Sequence, residues 1–500
     1  MTTDLTTGAQ RTELAAANPE HAHAADRVLR DLELPTGPVE FDVRNPATDE
    51  VIAKLPDAEP AEALEAIAGA DEAGRDWAVT SPRQRADTLR RWYDLLLEHA
   101  EDIALLITRE MGKPLAESRA EVTYGSDFVR WYAEQAVRPG GNVRDVPAGG
   151  GTLLTRRAPV GLSVLITPWN FPLAMATRKI APALAAGCPV IIKPATLTPL
   201  TTHYSVGLAY RAGVPENLIQ VITTTNAAAF SEAALADPRV RKVSFTGSTE
   251  VGKVLLRLAA DNVLRSSMEL GGNAPLIVFD DADLERAVNG TYSAKMRNGG
   301  QSCIAANRIY VQDGIADAFI EALTEKMSNA ITGDGLADNV DLGPLIDGRA
   351  GASMQRLVDD AVAHGARMLT GGQAIVGPGN FFPPTVIDQV PTTADIAHSE
   401  IFGPIAAIQR FSTQAEVLQR ANATEFGLAG YVFTENLDRA LNLADALQTG
   451  LVGINQGAPS NAAAPFGGVK QSGLGREGSD EGLDEYQEIR FYNIARRGTA

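Results

Sequence analysis

Apolar positions along the chain follow two different rhythms. Between about Asp57 and Ala136 the period is helical: from Arg85 to Thr108, Leu89, Trp92, Leu96, Ile103 and Ile107 fall on one face at helical spacing. From Gly161 onward, short apolar runs alternate with helical stretches. Strands are predicted at Gly161–Ile166, Pro189–Ile192, Leu218–Ile222 and Lys242–Phe245, with helices at Leu173–Ala186, Leu200–Arg211, Ala227–Leu235 and Glu250–Ala260 between and after them. Repeated strand–helix–strand units predict a parallel sheet covered on both faces. A second α/β region runs from Pro275 to about Gly468, with a strand at Leu276–Phe279 and a helix at Ile315–Ala330. The tail Tyr486–Ala495 reads as an extended segment that adds a strand to a sheet elsewhere, in this subunit or another. Met1 to about Pro35 reads as a loose lead-in with room for one helix.

At 500 residues the chain exceeds one hydrophobic core, so two or three domains are expected. A formal charge of −18 argues against a nucleic-acid or anionic-membrane partner, because phosphate binding needs a basic face. There is no apolar run of bilayer length, and the N-terminus lacks the apolar stretch of a signal peptide. With only Cys188 and Cys303 present, a disulfide scaffold is excluded and a reducing cytoplasm is expected. Two cysteines and scattered histidines make no zinc cluster, and H-E-x-x-H and G-x-S-x-G are absent, so no metal site is expected and serine hydrolysis has no support. Gly473, Gly475 and Gly478 satisfy G-x-G-x-x-G, but no strand–helix–strand unit follows, so they read as a turn.

Four segments carry candidate chemistry. Thr167-Pro168-Trp169-Asn170-Phe171-Pro172 lies just past the first strand of the parallel sheet, at the carboxyl edge where such folds bind ligands. Ile192-Lys193-Pro194-Ala195-Thr196 brings a lysine to the same edge. Phe245-Thr246-Gly247-Ser248-Thr249-Glu250 runs a strand through a Gly-Ser turn into a helix, whose N-terminus suits a phosphate. In Glu269-Leu270-Gly271-Gly272 and Asn298-Gly299-Gly300-Gln301-Ser302-Cys303, a carboxylate and a thiol lie near paired glycines, where backbone can approach a ligand closely. Cys188, in an Ala-Gly-Cys-Pro context, reads as inert core.

Taken in order, the strings T-P-W-N-F-P, K-P-A, S-F-T-G-S-T-E-V-G, M-E-L-G-G-N-A-P, N-G-G-Q-S-C, E-I-F-G-P and P-F-G-G-V-K-Q-S-G-L-G-R-E-G resemble the aldehyde dehydrogenase superfamily from about Phe41 to Asn493. Within it the pattern is most similar to the succinate-semialdehyde dehydrogenases. The resemblance implies a Rossmann-type cofactor domain (36–139 and 160–270), an α/β catalytic domain (271–470) and a small β oligomerisation region (140–159 and 486–497), after a lead-in at 1–35. It also implies a homodimer or homotetramer.

By the same resemblance, Cys303 attacks the aldehyde, and the Asn170 side chain with the Cys303 N–H holds the oxyanion. A nicotinamide dinucleotide takes the hydride, and Glu269 activates the water that hydrolyses the thioester. Trp169, Lys193, Gly247, Ser248, Leu270, Glu400 and Phe402 match cofactor-contact positions, with Asn170, Thr167, Pro194 and Ala195 beside them. Thr196 stands where NAD-favouring members commonly carry a glutamate. A carboxylate there repels a 2′-phosphate, whereas threonine does not, so NADP is expected in preference to NAD. Arg178, Arg297 and Ser460 match positions that grip a substrate's distal carboxylate, and Phe171 and Phe466 wall its apolar part. Succinate semialdehyde is the expected substrate, with glutarate semialdehyde as the alternative. CoA-acylating relatives typically lack the Glu269 base, and the joint presence of Cys303, Glu269 and Asn170 speaks against a non-catalytic descendant. The loop Thr223–Ala227 lacks the glycines common in the family. Ala305 replaces a cysteine that in some relatives forms a disulfide with the nucleophile.

Overall fold

A computed structural model describes residues 14–138 and 140–496. The predicted lead-in before residue 14, the domain boundary at 139 and position 497 lie outside the described residues. The described part of the lead-in contains one helix, Pro19–Asp31, started by Pro19 in its first turn and by the Asn18 side chain, which accepts the Glu20 N–H.

Four helices, Pro60–Val79, Pro82–Glu98, Ala100–Met111 and Leu115–Gln135, fill the helical region. The single stripe expected from Arg85 to Thr108 is divided between two of them, because the backbone leaves helical geometry at His99. Leu96 and Ile103 are a heptad apart, a spacing that also suits an unbroken helix, so periodicity hid the break. All five stripe residues are nonetheless fully buried, each contributing roughly 1.5–3 kcal/mol through burial of apolar surface. The Trp92 indole N–H is satisfied inside the core by the Ser205 carbonyl at 3.0 Å.

The predicted parallel sheet is present. Its spatial order is Gly473–Leu474, Arg265–Glu269, Val240–Thr246, Leu162–Ile166, Val190–Lys193, Ile219–Val221, with only the Gly473–Leu474 edge antiparallel. The chain builds outward from Leu162–Ile166 in one direction, then returns to its other side at Val240–Thr246. Strand order therefore reverses between these two strands, and the crevice beyond their carboxyl ends is where doubly wound sheets bind ligands. Thr167 and Gly247 stand at its two lips. The G-x-G-x-x-G match, expected as a turn, instead supplies the edge strand at Gly473 and the cap of the helix Ser479–Asp484 at Gly478. Gly473, Gly475 and Gly478 all take left-handed or mirror-extended backbone (φ 128°, 84° and 75°) that L side chains rarely adopt.

A second sheet of seven strands runs in the order Arg367–Thr370, Thr385–Asp388, Ile405–Phe411, Ala306–Gln312, Ala274–Val278, Ala429–Phe433, Leu451–Ile454, antiparallel only at the first pair. The tail forms the strand Gln487–Ala495, which pairs antiparallel within the same chain with Gly151–Pro159, itself joined by Val143–Asp145. No described helix is long and apolar enough to cross a membrane.

Candidate active site

The first wall is the turn after Leu162–Ile166. Pro172 opens the helix Pro172–Ala186 immediately after Phe171 and fixes the bend that presents Asn170. One cation and one amide hold the Asn170 carbonyl from behind. Lys113 Nζ donates to the Asn170 carbonyl at 2.8 Å, lies 4.0 Å from the Phe171 ring centroid, and pairs with Glu121. Glu121 in turn accepts the Leu173 N–H at 3.0 Å, so one buried carboxylate ties the lysine to the start of the helix. Asn298 Nδ2 also donates to the Asn170 carbonyl, at 2.9 Å. The Asn170 amide Nδ2 donates to the Gln301 carbonyl at 3.0 Å, which links it to the loop bearing the thiol.

That loop explains its glycines. Asn298, Gly299 and Gly300 take left-handed backbone in succession (φ 55°, 60° and 73°). A Cβ on Gly300 would stand 2.1 Å from the Gly403 carbonyl oxygen, and one on Gly272 would stand 2.5 Å from that of Cys303. Glu117 accepts the Asn298 N–H at 2.8 Å, and the Tyr431 hydroxyl donates to the Ile304 carbonyl at 2.6 Å. Cys303 is thus fastened on both sides. As a residue it is half-buried, open to the cavity but enclosed by protein. Burial pushes its thiol up to about 12, with the Arg178 charge acting the other way. Its reactive thiolate therefore depends on donors and positive charge brought to the sulfur.

Opposite stands Glu269, at the end of Arg265–Glu269. It is 2 % exposed, and neither carboxylate oxygen has a hydrogen-bond partner. Burial, reinforced by the Glu477 carboxylate, lifts it well above the usual carboxylate range. A carboxyl kept unpaired in a low-dielectric site suits a general base that must take a proton from water.

Cys303, Glu269 and Asn170 line one cavity of about 250 Å³. Phe171, Arg178, Arg297, Ser460 and Phe466 line it as well. Trp169, Gly247, Ser248, Leu270, Glu400 and Phe402 line its crevice side. Lys193, Pro194, Ala195 and Thr196 lie outside this cavity, at the end of the neighbouring strand. Thr167 also lies outside the cavity; its N–H donates to the Lys193 carbonyl at 3.1 Å, and the next residue, Pro168, lines the cavity.

The two arginines differ. Arg178 is buried and ion-paired with Glu477, which also pairs with Lys179; its Nη2 is buried without a partner. Glu477 stays below the usual carboxylate range: burial opposes its charge, but Arg178 and Lys179 outweigh that. Arg297 is gripped by rings instead. Its guanidinium carbon lies 4.9 Å from the Phe171 centroid and 5.4 Å from the Tyr124 centroid.

The crevice fits a dinucleotide. Ser248 is exposed and caps the helix Thr249–Asp261, accepting the Val251 N–H, so the remaining N–H groups of the first turn face the crevice. The Thr246 hydroxyl is buried there without a partner, and Lys193 Nζ reaches only the Pro194 carbonyl, at 3.4 Å. Burial lowers Lys193 to about 8, with Asp57 opposing; an anion at this site would restore its charge. Glu400 accepts the Gly272 N–H at 3.2 Å, and Trp169 meets Phe402 edge to face at 5.5 Å. The loop Thr223–Ala227 is held by side chains instead of glycine turns: the Thr225 N–H donates to Asp57 at 2.7 Å.

Sequence reasoning missed Lys113, Glu117, Glu121, Tyr124, Asn298 and Glu477. One signal was available for three of them. Glu117, Glu121 and Tyr124 recur with Phe128 at helical spacing on one face of Leu115–Gln135, a polar stripe where apolar side chains are expected. Replacing Asn170 with alanine is expected to lower kcat by about 10²–10³-fold, the usual effect of removing one oxyanion donor. Steady-state kinetics together with cofactor titration checks this, since cofactor affinity should stay within a few-fold.

A dinucleotide crevice opening onto a thiol beside amide donors defines the class, an NAD(P)-dependent oxidoreductase acting on aldehydes. The chain belongs to the aldehyde dehydrogenase family, whose model matches residues 35–492. It is 49 % identical over 445 residues to a succinate-semialdehyde dehydrogenase of Paenarthrobacter nicotinovorans, covering 89 % of this chain and 99 % of the relative. It is 47 % identical to a glutarate-semialdehyde dehydrogenase of Pseudomonas putida, covering 91 % of this chain and 94 % of that one. The crystal structure of an NADP-dependent enzyme from E. coli superposes with a TM-score of 0.90 at 45 % identity, covering 92 % of this chain and 95 % of the other.

Proposed function

We propose that this enzyme oxidises succinate semialdehyde to succinate, with NADP preferred to NAD, as a cytoplasmic homodimer or homotetramer. The observation that carries the substrate class is Arg297, a guanidinium on the wall of the Cys303 cavity lying over two aromatic rings and without a hydrogen bond or ion pair among the described residues, so that its fork can take a carboxylate. Arg178 adds positive charge and an unpartnered Nη2 on the same wall, and the hydrogen-bonded hydroxyls of Ser460 and Tyr124 together supply one free O–H there. Phe171 and Phe466 enclose the methylene groups between the two ends of the substrate.

In this reading the Cys303 sulfur bonds to the aldehyde carbon. The Asn170 amide and the Cys303 N–H hold the resulting oxyanion. When bound, the dinucleotide supplies the hydride acceptor. Glu269 then takes a proton from the water that attacks the thioester, and Cys303 leaves as thiolate. Lys193, Thr196 and the Ser248-capped helix would hold the cofactor's adenosine ribose and phosphates. Thr196 adds no charge against a 2′-phosphate, and Lys193 can pair with one. The six-stranded sheet serves as the cofactor domain, the seven-stranded sheet as the catalytic domain, and the three-stranded sheet as the oligomerisation region. That last sheet exposes Val143, Ile489, Phe491 and Ile494.

Glutarate semialdehyde is the second reading, supported by the Pseudomonas putida relative; one methylene shifts discrimination by only about 1–3 kcal/mol. The test is reduced-cofactor absorbance with succinate semialdehyde, glutarate semialdehyde and butanal, each with NADP and NAD. A kcat/KM for succinate semialdehyde at least tenfold above butanal, and higher with NADP, is expected. Preference for butanal sinks the substrate class, and preference for NAD sinks the cofactor assignment.

A further inference from the structure

One residue on the cavity wall is not accounted for by the mechanism. Tyr124 lies on the active-site face of Leu115–Gln135, half-buried, with its ring edge-to-face against Phe128 at 5.0 Å. Its hydroxyl is 2.5 Å from Ser460 Oγ, across 336 residues of chain. Its ring forms one side of the Arg297 clamp. Ring, hydroxyl, serine and guanidinium therefore meet on the wall of the Cys303 cavity.

We infer that Tyr124 is a specificity-determining residue whose hydroxyl donates to the distal carboxylate of the substrate beside Arg297, while its ring fixes the guanidinium. This rests on the carboxylate-aldehyde reading above and deepens it. Two hydroxyls bonded to each other consume one of their two protons, so the pair presents a single free O–H. A phenolic O–H is a stronger hydrogen-bond donor than an alcohol O–H. The stronger donor faces the stronger acceptor: Ser460 donates to the Tyr124 oxygen, and Tyr124 donates to the carboxylate in a charge-assisted bond. Ser460 thus acts through Tyr124. The ring contributes separately. A guanidinium between two aromatic faces keeps its charge and loses its freedom to swing, so its fork is already aligned when substrate arrives.

The test compares wild type, Tyr124→Phe and Ser460→Ala on succinate semialdehyde and on butanal. Tyr124→Phe keeps the ring against Phe128 and Arg297 and removes only the hydroxyl, and butanal turnover reports that it is folded. The expected result is a fall of about tenfold or more in kcat/KM for succinate semialdehyde, carried by KM. Butanal should stay within about twofold, and Ser460→Ala should lose less than Tyr124→Phe, because it leaves the phenolic donor in place. A wild type that prefers the acid, with a Tyr124→Phe variant of unchanged acid-to-butanal ratio, overturns the role of Tyr124 alone. A Ser460→Ala loss larger than that of Tyr124→Phe assigns the donated proton to Ser460 and also overturns it. A wild type with no preference for the acid overturns the carboxylate reading, and this inference falls with it.

Discussion

Cys303→Ala is expected to lower aldehyde oxidation by more than about 10⁴-fold while leaving the fold and cofactor binding in place. The magnitude follows from removing the nucleophile outright, which in covalent catalysis costs orders of magnitude more than removing a binding contact. The fold should tolerate the change. Cys303 is half-buried and faces the cavity, its loop is fastened through Asn298, Gln301 and Ile304 by other side chains, and alanine leaves those bonds intact. Three measurements decide the matter: steady-state turnover, cofactor titration by protein fluorescence, and thermal melting with and without cofactor. An inactive variant with wild-type cofactor affinity and melting temperature is the expected outcome. Turnover within about tenfold of wild type would end the thioester mechanism.

Glu269→Gln should separate the two halves of the reaction. Hydride release from the Cys303 adduct does not use the carboxylate, whereas thioester hydrolysis does. Rapid mixing should therefore show a burst of reduced cofactor approaching one per active subunit, followed by a steady rate lowered by about 10²–10⁴-fold. Absence of the burst would place Glu269 before hydride transfer. A pH dependence accompanies this. Cys303 and Glu269 both act deprotonated, and burial shifts both upward, the thiol to about 12. The wild-type rate should thus rise with pH from neutral into the alkaline range and fall as either group is protonated on acidification. In Glu269→Gln the steady-state limb should lose the part of that dependence belonging to the carboxyl. A wild-type rate that falls between pH 7 and 9 would contradict the stated direction.

Local elements were legible because their causes are local. The helix predicted at Leu200–Arg211 is observed with those bounds, and the four predicted strands of the first sheet fall within a few residues of their predicted ends, while Arg265–Glu269 and Gly473–Leu474 were not foreseen. Apolar periodicity over a dozen residues and a cap such as Ser248 are sufficient there. The break at His99 was not legible, since the heptad between Leu96 and Ile103 fits one helix or two. The candidate site was legible as segments. Asn170, Lys193, Ser248 and Glu269 each sit at a strand end, and one carboxyl edge collects strand ends.

The tail shows where sequence stops. Its extended character was plain, but Gln487–Ala495 finds its partner in Gly151–Pro159 through a pairing across the length of the chain. The same holds for the chemistry at the cavity wall. Arg178 and Arg297 look alike in sequence, yet one faces Glu477 and the other two aromatic rings. Tyr124 carries no signal beyond its place on a polar stripe; its role follows from Ser460, 336 positions away. By itself the sequence determined most of the local elements of the first sheet, their parallel sense and the residue types at their carboxyl ends, because these depend on neighbours within a turn or two of chain, whereas the order of the strands was set by the tertiary structure. Only the tertiary structure decided which charges are spent on one another and which remain free, because Coulomb energy and desolvation depend on distances in space that no local pattern encodes.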